Sequence, residues 1–203
     1  MYTKICGLKR EQDIQFVNEL QPEYVGFVFA ENRKRTVDVD DALELKGLLD
    51  PEIKAVGVFV DQEMDFVVGL LDTGIIDVAQ LHGNEDDDYI KELKTRTNCP
   101  IIKAFVLSDD SDFEKINNSS ADLILVDSGQ GSGIKLDEGL IQCIQRDYFL
   151  AGGLTVENVK ETIKNADSHL IGVDVSSGVE TAGQKDYEKI KSFIRKVNEV
   201  ENE

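Results

Sequence analysis

Residues 53–60 read Ile-Lys-Ala-Val-Gly-Val-Phe-Val, an almost unbroken apolar run. A strand with one face in solvent alternates apolar and polar residues, and this stretch does not. Parallel strands that are covered by helices on both faces have this kind of composition. The stretch therefore predicts a parallel sheet with helices packed on both sides.

Similar apolar runs recur along the whole chain and alternate with amphipathic segments. The clearest helical stripe comes last and consists of Tyr187, Ile190, Phe193, Ile194 and Val197. The predicted strands are 3–7, 24–29, 53–60, 78–83, 100–107, 123–128, 148–154 and 169–177. Consecutive strand–helix units in this number predict a compact α/β fold, a (β/α)₈ TIM barrel that forms one domain over residues 1–203. A doubly wound open sheet is the alternative.

The composition limits the kinds of partner that the protein is expected to bind. Forty acidic and 22 basic residues give a net charge of −18, which argues against a nucleic-acid partner. No apolar run reaches the roughly 18 residues that a membrane-spanning helix needs, so no membrane partner is expected. Cys6, Cys99 and Cys143 form no C-x-x-C pair, which predicts neither a disulfide framework nor a zinc site. We expect a cytoplasmic protein with a small-molecule ligand.

Glycines and serines cluster after the last two predicted strands. In a (β/α)₈ barrel these loops are the usual phosphate site, because glycine lets backbone N–H groups approach an anion and serine adds a hydroxyl donor. The alternative is that the glycines only make tight turns. The loop 129–133, Gly-Gln-Gly-Ser-Gly, is a candidate third wall. The candidate phosphate-binding residues are Gly152, Gly153, Ser176, Ser177 and Gly178.

Reactive side chains also fall at predicted strand ends. Cys6 is either a small core residue or a base whose thiolate is made accessible by nearby positive charge. Asp127 is the last residue of an apolar strand. Its carboxylate is either functional or only caps the loop that follows. Arg35 suits a substrate carboxylate, unless it is only a solvated loop charge. His82 and Asp174 are further candidates. The alternative for His82 is a turn or packing residue, and the alternative for Asp174 is a residue that braces the phosphate loop or a neighbouring strand.

A set of short motifs covers almost the entire chain in a fixed order. They are Lys4-Ile5-Cys6-Gly7-Leu8, Gly26-Phe27-Val28-Phe29, Arg35-x-Val37, Val56-Gly57-Val58-Phe59-Val60, Gln80-Leu81-His82-Gly83, Asp127-Ser128, Leu150-Ala151-Gly152-Gly153-Leu154, Gly172-Val173-Asp174-Val175-Ser176-Ser177-Gly178-Val179-Glu180 and Lys185-Asp186. Together they resemble the phosphoribosylanthranilate isomerase family of tryptophan biosynthesis. Each motif is weak alone, whereas the combination is specific.

The resemblance implies a metal-free and cofactor-free Amadori rearrangement of a sugar-phosphate substrate, N-(5-phosphoribosyl)anthranilate. Asp127 would be the general acid that opens the ribose ring, and Cys6 the general base that removes the C2 proton. Arg35 would face the anthranilate carboxylate, His82 and Asp174 would contact substrate, and the glycine and serine loops would hold the phosphate. A lowered pKa for Cys6 and a raised pKa for Asp127, the latter through desolvation and the anionic ligand, would follow. The family includes monomers and homodimers, and both remain open here.

Two departures from the family pattern concern the loops around the site. Arg33 stands where the family usually has serine, and Ile134-Lys135-Leu136-Asp137-Glu138 replaces the usual Lys-Thr-Phe-Asp-Trp. We expect them to affect affinity more than chemistry.

Two other functions compete with the isomerase. The site of a metal-dependent pentose-phosphate epimerase would have two histidines and two aspartates at strand ends. This chain has only two histidines, and His169 falls at the start of the last predicted strand, the wrong end of the barrel. A non-catalytic phosphate-binding domain would not need Cys6 and Asp127 together.

Overall fold

Eight parallel strands close into a barrel in the computed structural model, which describes residues 1–31, 33–107, 111–129 and 143–201. The predicted barrel is confirmed, and the open-sheet alternative is wrong because β1 pairs with β8 as well as with β2. The strands are β1 (Tyr2–Cys6), β2 (Tyr24–Val28), β3 (Lys54–Phe59), β4 (Val78–Leu81), β5 (Ile101–Val106), β6 (Leu123–Asp127), β7 (Tyr148–Ala151) and β8 (Leu170–Val175).

Helices follow the strands and form the outer layer. The last helix carries the predicted apolar stripe, and its Ile190, Phe193 and Val197 have no exposed surface. Within the described residues the helices are α1 (Glu11–Leu20), α2 (Val39–Leu48), α3 (Met64–Asp72), α4 (Asp87–Arg96), α5 (Ser111–Asn118), α6 (Val159–Lys164) and α7 (Tyr187–Glu201). A 3₁₀ turn (Ser177–Val179) and a hairpin of β9 (Glu180–Thr181) and β10 (Gln184–Lys185) connect β8 to α7. None of these described helices is both long and apolar enough to cross a membrane.

The two ends of the barrel differ in chemistry. Aromatic rings close the amino-terminal end, where Tyr2 and Phe149 both pack against Tyr24 with ring centroids 5.8 and 5.6 Å away. The carboxyl-terminal end carries polar side chains, among them Lys4, Gln80 and Asp127. A ligand that bears charge is therefore accommodated at the carboxyl-terminal mouth.

Several strands end one or two residues earlier than the sequence predicts. The chain leaves β1 at Gly7, whose φ of +82° belongs to the left-handed region that glycine adopts without strain. Residue Ser176, predicted as strand, has φ −124° and ψ −82° and begins the 3₁₀ turn instead. Apolar patterning locates a strand core, and backbone geometry decides where the strand stops.

Candidate active site

The strand ends bring the predicted reactive side chains to one mouth of the barrel. Cys6 is the last residue of β1, and Asp127 is the last residue of β6. His82 follows β4 directly, and Asp174 lies one residue before the end of β8. These positions share one end because all eight strands are parallel.

The thiol of Cys6 lies in a narrow space between β1 and β2. A Cβ atom on Gly26, its register partner, would lie 2.7 Å from Cys6 Sγ, so glycine leaves the room that the thiol needs. Ser176 Oγ donates a 2.9 Å hydrogen bond to the carbonyl oxygen of Cys6. Burial raises the pKa of the Cys6 thiol, while the positive charges of Lys4 and Lys185 act in the opposite direction.

A fully buried lysine accompanies the thiol, although the sequence interpretation assigns it no role. Lys4 Nζ donates a 2.9 Å hydrogen bond to Asp174 Oδ2, its register partner on β8. Burial alone would lower the pKa of Lys4, but the charges of Asp174 and Cys6 raise it above its usual value. Lys4 and Cys6 are two positions apart on one strand and so share a face. That spacing is the signal that could have identified Lys4.

Arg35 contacts the loop after β1 and a carboxylate to which the sequence analysis assigns no role. A Cβ on Gly7 would lie 2.3 Å from Arg35 Cδ, so the side chain packs directly on this glycine. Arg35 Nε and Nη2 donate to Glu180 Oε1 and Oε2 at 2.6 and 2.7 Å. These contacts use two of the five N–H donors of the guanidinium.

Lys185 completes this ion cluster. Its buried Nζ lies 2.7 Å from Glu180 Oε1 and 2.9 Å from the carbonyl oxygen of Ser176. Burial alone would raise the pKa of Glu180, but hydrogen bonds from Arg35 and Lys185 lower it to about 2. The cluster thus places cationic groups beside Cys6 and links the hairpin after β8 to the mouth. Lys185 and Glu180 are apart from the strand ends, which is why topology alone does not select them.

The loops predicted to hold phosphate pack closely against one another. Gly152 has a φ of +89°, and a Cβ there would lie 2.5 Å from Asp127 Oδ1. Gly153 follows with a φ of +63°, and a Cβ on Gly178 would lie 1.9 Å from the carbonyl oxygen of Leu154. These glycines therefore allow close backbone approach between the loops after β6, β7 and β8. Ser177 and Gly178 lie in the 3₁₀ turn that follows Ser176.

Asp127 and His82 form a pair across the mouth. His82 Nε2 lies 3.4 Å from Asp127 Oδ2, and the backbone N–H of Gly129 donates to Asp127 Oδ1 at 2.9 Å. The hydrogen bond from His82 lowers the pKa of Asp127, against the effect of burial.

The expected direction of the pKa shift is therefore wrong for Cys6, and the protein groups around Asp127 act against the rise that was expected for it with an anionic ligand. The pKa of Cys6 is raised rather than lowered, because burial outweighs the neighbouring cations. The pKa of Asp127 is lowered rather than raised, because His82 and Gly129 donate to its carboxylate. The sequence does not show this contact, since His82 and Asp127 are on strands far apart in the chain.

The remaining predicted residues fall into three groups. Arg33 is exposed in the loop after β2, where its N–H donates to Thr36 Oγ1 at 3.2 Å. His169 precedes β8 and lies at the opposite end of the barrel from Cys6. Residues 130–133 of the glycine loop and 134–138, where the family pattern changes, lie outside the described residues.

A cavity of about 720 Å³ adjoins His82 between the loops after β3 and β4 and helix α5. Lys103 on β5 and Glu85 form a buried ion pair of 2.9 Å in its wall. Glu85 also accepts hydrogen bonds from the backbone N–H groups of Asp61 and Gly83, both at 2.8 Å. This pair fixes the loop that carries His82. No group of three or more His, Cys, Asp or Glu side chains in the described part of the chain is arranged to hold a metal ion.

Comparison with known proteins agrees with the geometry of the site. A profile described as N-(5'phosphoribosyl)anthranilate (PRA) isomerase matches residues 3–196. The N-(5'-phosphoribosyl)anthranilate isomerase of Thermoanaerobacter pseudethanolicus is 43% identical over 204 residues, covering 97% of this chain and 98% of that protein. The enzyme of the same name from Endomicrobium trichonymphae is 44% identical over 199 residues, covering 95% and 96%.

Solved structures agree over the whole barrel. Phosphoribosyl anthranilate isomerase from Thermotoga maritima superposes with a TM-score of 0.86 at 32% identity, covering 98% of this chain and 99% of that one. A structure of phosphoribosyl anthranilate isomerase in complex with reduced 1-(o-carboxyphenylamino)-1-deoxyribulose 5-phosphate gives a TM-score of 0.84 at 32% identity, with the same coverage. The chain therefore belongs to the N-(5'-phosphoribosyl)anthranilate isomerase family.

Proposed function

We propose that this protein isomerises N-(5-phosphoribosyl)anthranilate to 1-(2-carboxyphenylamino)-1-deoxyribulose 5-phosphate in tryptophan biosynthesis. The observation that carries the proposal is the placement of Cys6 and Asp127 at one mouth, beside the glycine and serine loops after β7 and β8. The family membership of the chain supports the same reaction.

Asp127 and Cys6 divide the proton transfers. A proton from Asp127 goes to the ribose ring oxygen, the C1–O bond breaks, and the nitrogen lone pair forms the imine. The Cys6 thiolate then removes the C2 proton, which gives an enolamine. The enol hydroxyl loses its proton and C1 gains one, so the ketone forms and the protein keeps its starting number of protons. The reaction needs no cofactor, because every step is a proton transfer or a rearrangement of bonds within the substrate.

The ion cluster supports Cys6 as the base. Positive charge from Lys4 and Lys185 opposes the effect of burial on the thiol and stabilises the thiolate that the reaction needs. Arg35 packs on Gly7 beside the end of β1, where its guanidinium can take a carboxylate of the anthranilate ring.

We place the substrate phosphate at Gly152, Gly153, Ser176, Ser177 and Gly178. Close backbone packing of these loops supports this assignment, because small residues let N–H groups and hydroxyls converge on one anion. His82 and Asp174 are the further residues that we assign to the substrate side of the mouth.

A fluorescence assay tests the proposed activity. Phosphoribosylanthranilate is generated in situ from anthranilate and phosphoribosyl pyrophosphate, and the emission of the anthranilate ring is followed with a metal chelator present. We expect rapid loss of emission with the wild-type protein and none with Cys6→Ser. Tight binding of a phosphate ligand without turnover would instead identify a binding domain. Stoichiometric divalent metal together with pentose-phosphate epimerisation would identify the metal-dependent alternative.

We further infer a cytoplasmic enzyme that works as a monomer or a homodimer with a sugar-phosphate substrate. All three cysteines of the chain are free, as in a reducing compartment. The family includes a Thermotoga maritima isomerase described as dimeric. Light scattering coupled to size-exclusion chromatography at working concentration distinguishes the two oligomeric states.

A further inference from the structure

Gln80 lies directly below His82 on the inner face of the barrel. The side chain is almost fully buried, with 1% of its surface exposed. Its Nε2 lies 3.4 Å from His82 Nδ1, on the side of the ring opposite to Asp127. The three side chains thus form a chain that ends at Asp127, the residue assigned to protonate the substrate.

One atom of Gln80 is left without a partner. The amide oxygen Oε1 is buried and accepts no hydrogen bond from any described residue. Leaving a buried carbonyl oxygen without a hydrogen bond destabilises a folded protein, so packing alone does not account for a glutamine here.

A half-turn of the amide would give this oxygen a partner. With Nε2 toward the ring, Gln80 donates to the lone pair of Nδ1 in a neutral imidazole. With Oε1 toward the ring, it accepts from the Nδ1–H of an imidazolium. One amide therefore supplies Nδ1 with a partner in either protonation state, while Nε2 keeps its direction toward Asp127.

We propose that Gln80 is a positioning residue that orients His82, and that His82 supplies the proton which Asp127 passes to the substrate. The inference rests on the proposed isomerase function and answers a difficulty in it. Asp127 in this structure holds its proton less readily than an ordinary aspartate, because His82 donates to it. An imidazolium at His82 gives its Nε2 proton to the carboxylate of Asp127, and the carboxylic acid so formed gives a proton to the ribose ring oxygen and becomes a carboxylate again. The enol hydroxyl proton later restores the pair.

The charged surroundings of His82 are mixed in sign. Asp61 lies after β3, Glu85, Asp86 and Asp87 lie at the start of α4, Lys103 lies on β5, and Asp112 and Lys115 lie on α5 along the same cavity. Glu85 and Lys103 pair at 2.9 Å, and Asp61 accepts from Asn84 Nδ2 at 3.0 Å. Of the described groups, Asp127 is the carboxylate that contacts the ring.

Ring-nitrogen NMR tests the inference without using activity. The chain has two histidines, so ¹⁵N-histidine labelling gives two imidazoles, and His169→Gln assigns them. The ¹⁵N shifts distinguish a ring nitrogen that carries a proton from one that accepts a hydrogen bond. In the neutral ring of the wild-type protein we expect the proton on Nε2 and a hydrogen-bonded acceptor at Nδ1. In Gln80→Met the Nδ1 resonance should move toward that of an acceptor without a hydrogen bond, and in Gln80→Glu, whose carboxylate only accepts, Nδ1 should carry the proton. Unchanged Nδ1 shifts in both variants would overturn the inference.

Kinetics on the same variants complete the test. For Gln80→Met we expect kcat to fall about tenfold or more with little change in KM, as when a partner that orients a functional histidine is lost. A fall in kcat in Gln80→Met with the His82 ring-nitrogen shifts unchanged would reduce Gln80 to a packing role. An inactive wild-type protein with the expected NMR shifts would refute the isomerase and leave the Gln80–His82 contact standing.

Discussion

Cys6 and Asp127 carry the proposed proton transfers, and each has a replacement of nearly equal size. We expect Cys6→Ser and Asp127→Asn each to lower kcat by at least about a hundredfold, the lower range for general acid–base catalysis. The fluorescence assay measures the loss. Cys143→Ser is the matched control, because Cys143 is an exposed thiol away from the mouth. Near-wild-type turnover in either site variant would remove that residue from the mechanism.

Lys4 is important for folding as well as for the thiol. Lys4→Met leaves the carboxylate of Asp174 buried without its 2.9 Å partner. We expect the free energy of unfolding to fall by about 3–5 kcal/mol, because an uncompensated charge remains in the barrel. Urea denaturation measures the change.

The double variant Lys4→Met/Asp174→Asn provides the control for this prediction. It removes both charges, so we expect it to recover much of the stability that Lys4→Met loses. Equal instability of the single and double variants would show that the cost comes from packing of the lysine stem rather than from the charge.

At the scale of elements, the loops after β7 and β8 depend on glycine to approach each other. We expect Gly178→Ala to weaken the binding of inorganic phosphate, because its Cβ would lie 1.9 Å from the carbonyl oxygen of Leu154 and push the loops apart. Isothermal titration calorimetry with phosphate measures the change.

Gly183→Ala in the β9–β10 turn is the control. Gly183 has a φ of +77°, and nothing lies within 4 Å of an added Cβ. The variant should lose roughly 1 kcal/mol of stability from backbone strain and keep its phosphate affinity. An equal loss of affinity in both variants would argue for general loosening instead of loop separation.

The hairpin of β9 and β10 gives the protein a specific acid sensitivity. The folded-state pKa of Glu180 is about 2, below its ordinary value of 4.5, because Arg35 and Lys185 hold the carboxylate. A lowered folded pKa contributes stability that is complete above pH 4.5 and is lost as the pH falls toward 2. We expect Glu180→Gln to show a shallower loss of unfolding free energy across this window. Parallel slopes for wild type and variant in urea titrations at pH 5, 4 and 3 would contradict the assignment.

Sequence patterning predicts the elements better than it predicts the contacts between them. Eight apolar runs are enough to predict the barrel, because a strand that is buried on both faces is apolar along its whole length. Such a run can be recognised within a few consecutive residues. Only part of the site can be predicted from such local patterns, because the Lys4–Asp174 and His82–Asp127 pairs each join strands that are distant in sequence. Glu180 and Lys185 look like ordinary surface charges until the hairpin folds over the mouth. For that reason the sequence predicts Cys6 and Asp127 at the mouth of the barrel but gives the wrong direction for the pKa shift of Cys6.

At the scale of the whole molecule, the excess of acidic residues opposes folding. A net charge of −18 makes the compact state repel itself, and salt screens that repulsion. We expect the Tm to rise by a few degrees between about 0.01 and 0.3 M ionic strength. Differential scanning calorimetry in NaCl and in choline chloride checks that the effect follows ionic strength rather than the cation. A Tm that falls with salt would show that surface ion pairs outweigh the net repulsion.

The closure of the barrel also sets an order of events during synthesis. Lys4 leaves the ribosome before its partner Asp174, which is 170 positions further along the chain. At about 5–20 residues per second, translation separates the two by roughly 10–30 s. Throughout that interval the nascent chain holds Cys6 without the strand that completes its surroundings, and its lysine stays hydrated. The surroundings of Cys6 are therefore assembled last, and a chain truncated before β8 would have the thiol but not the strand that carries Asp174.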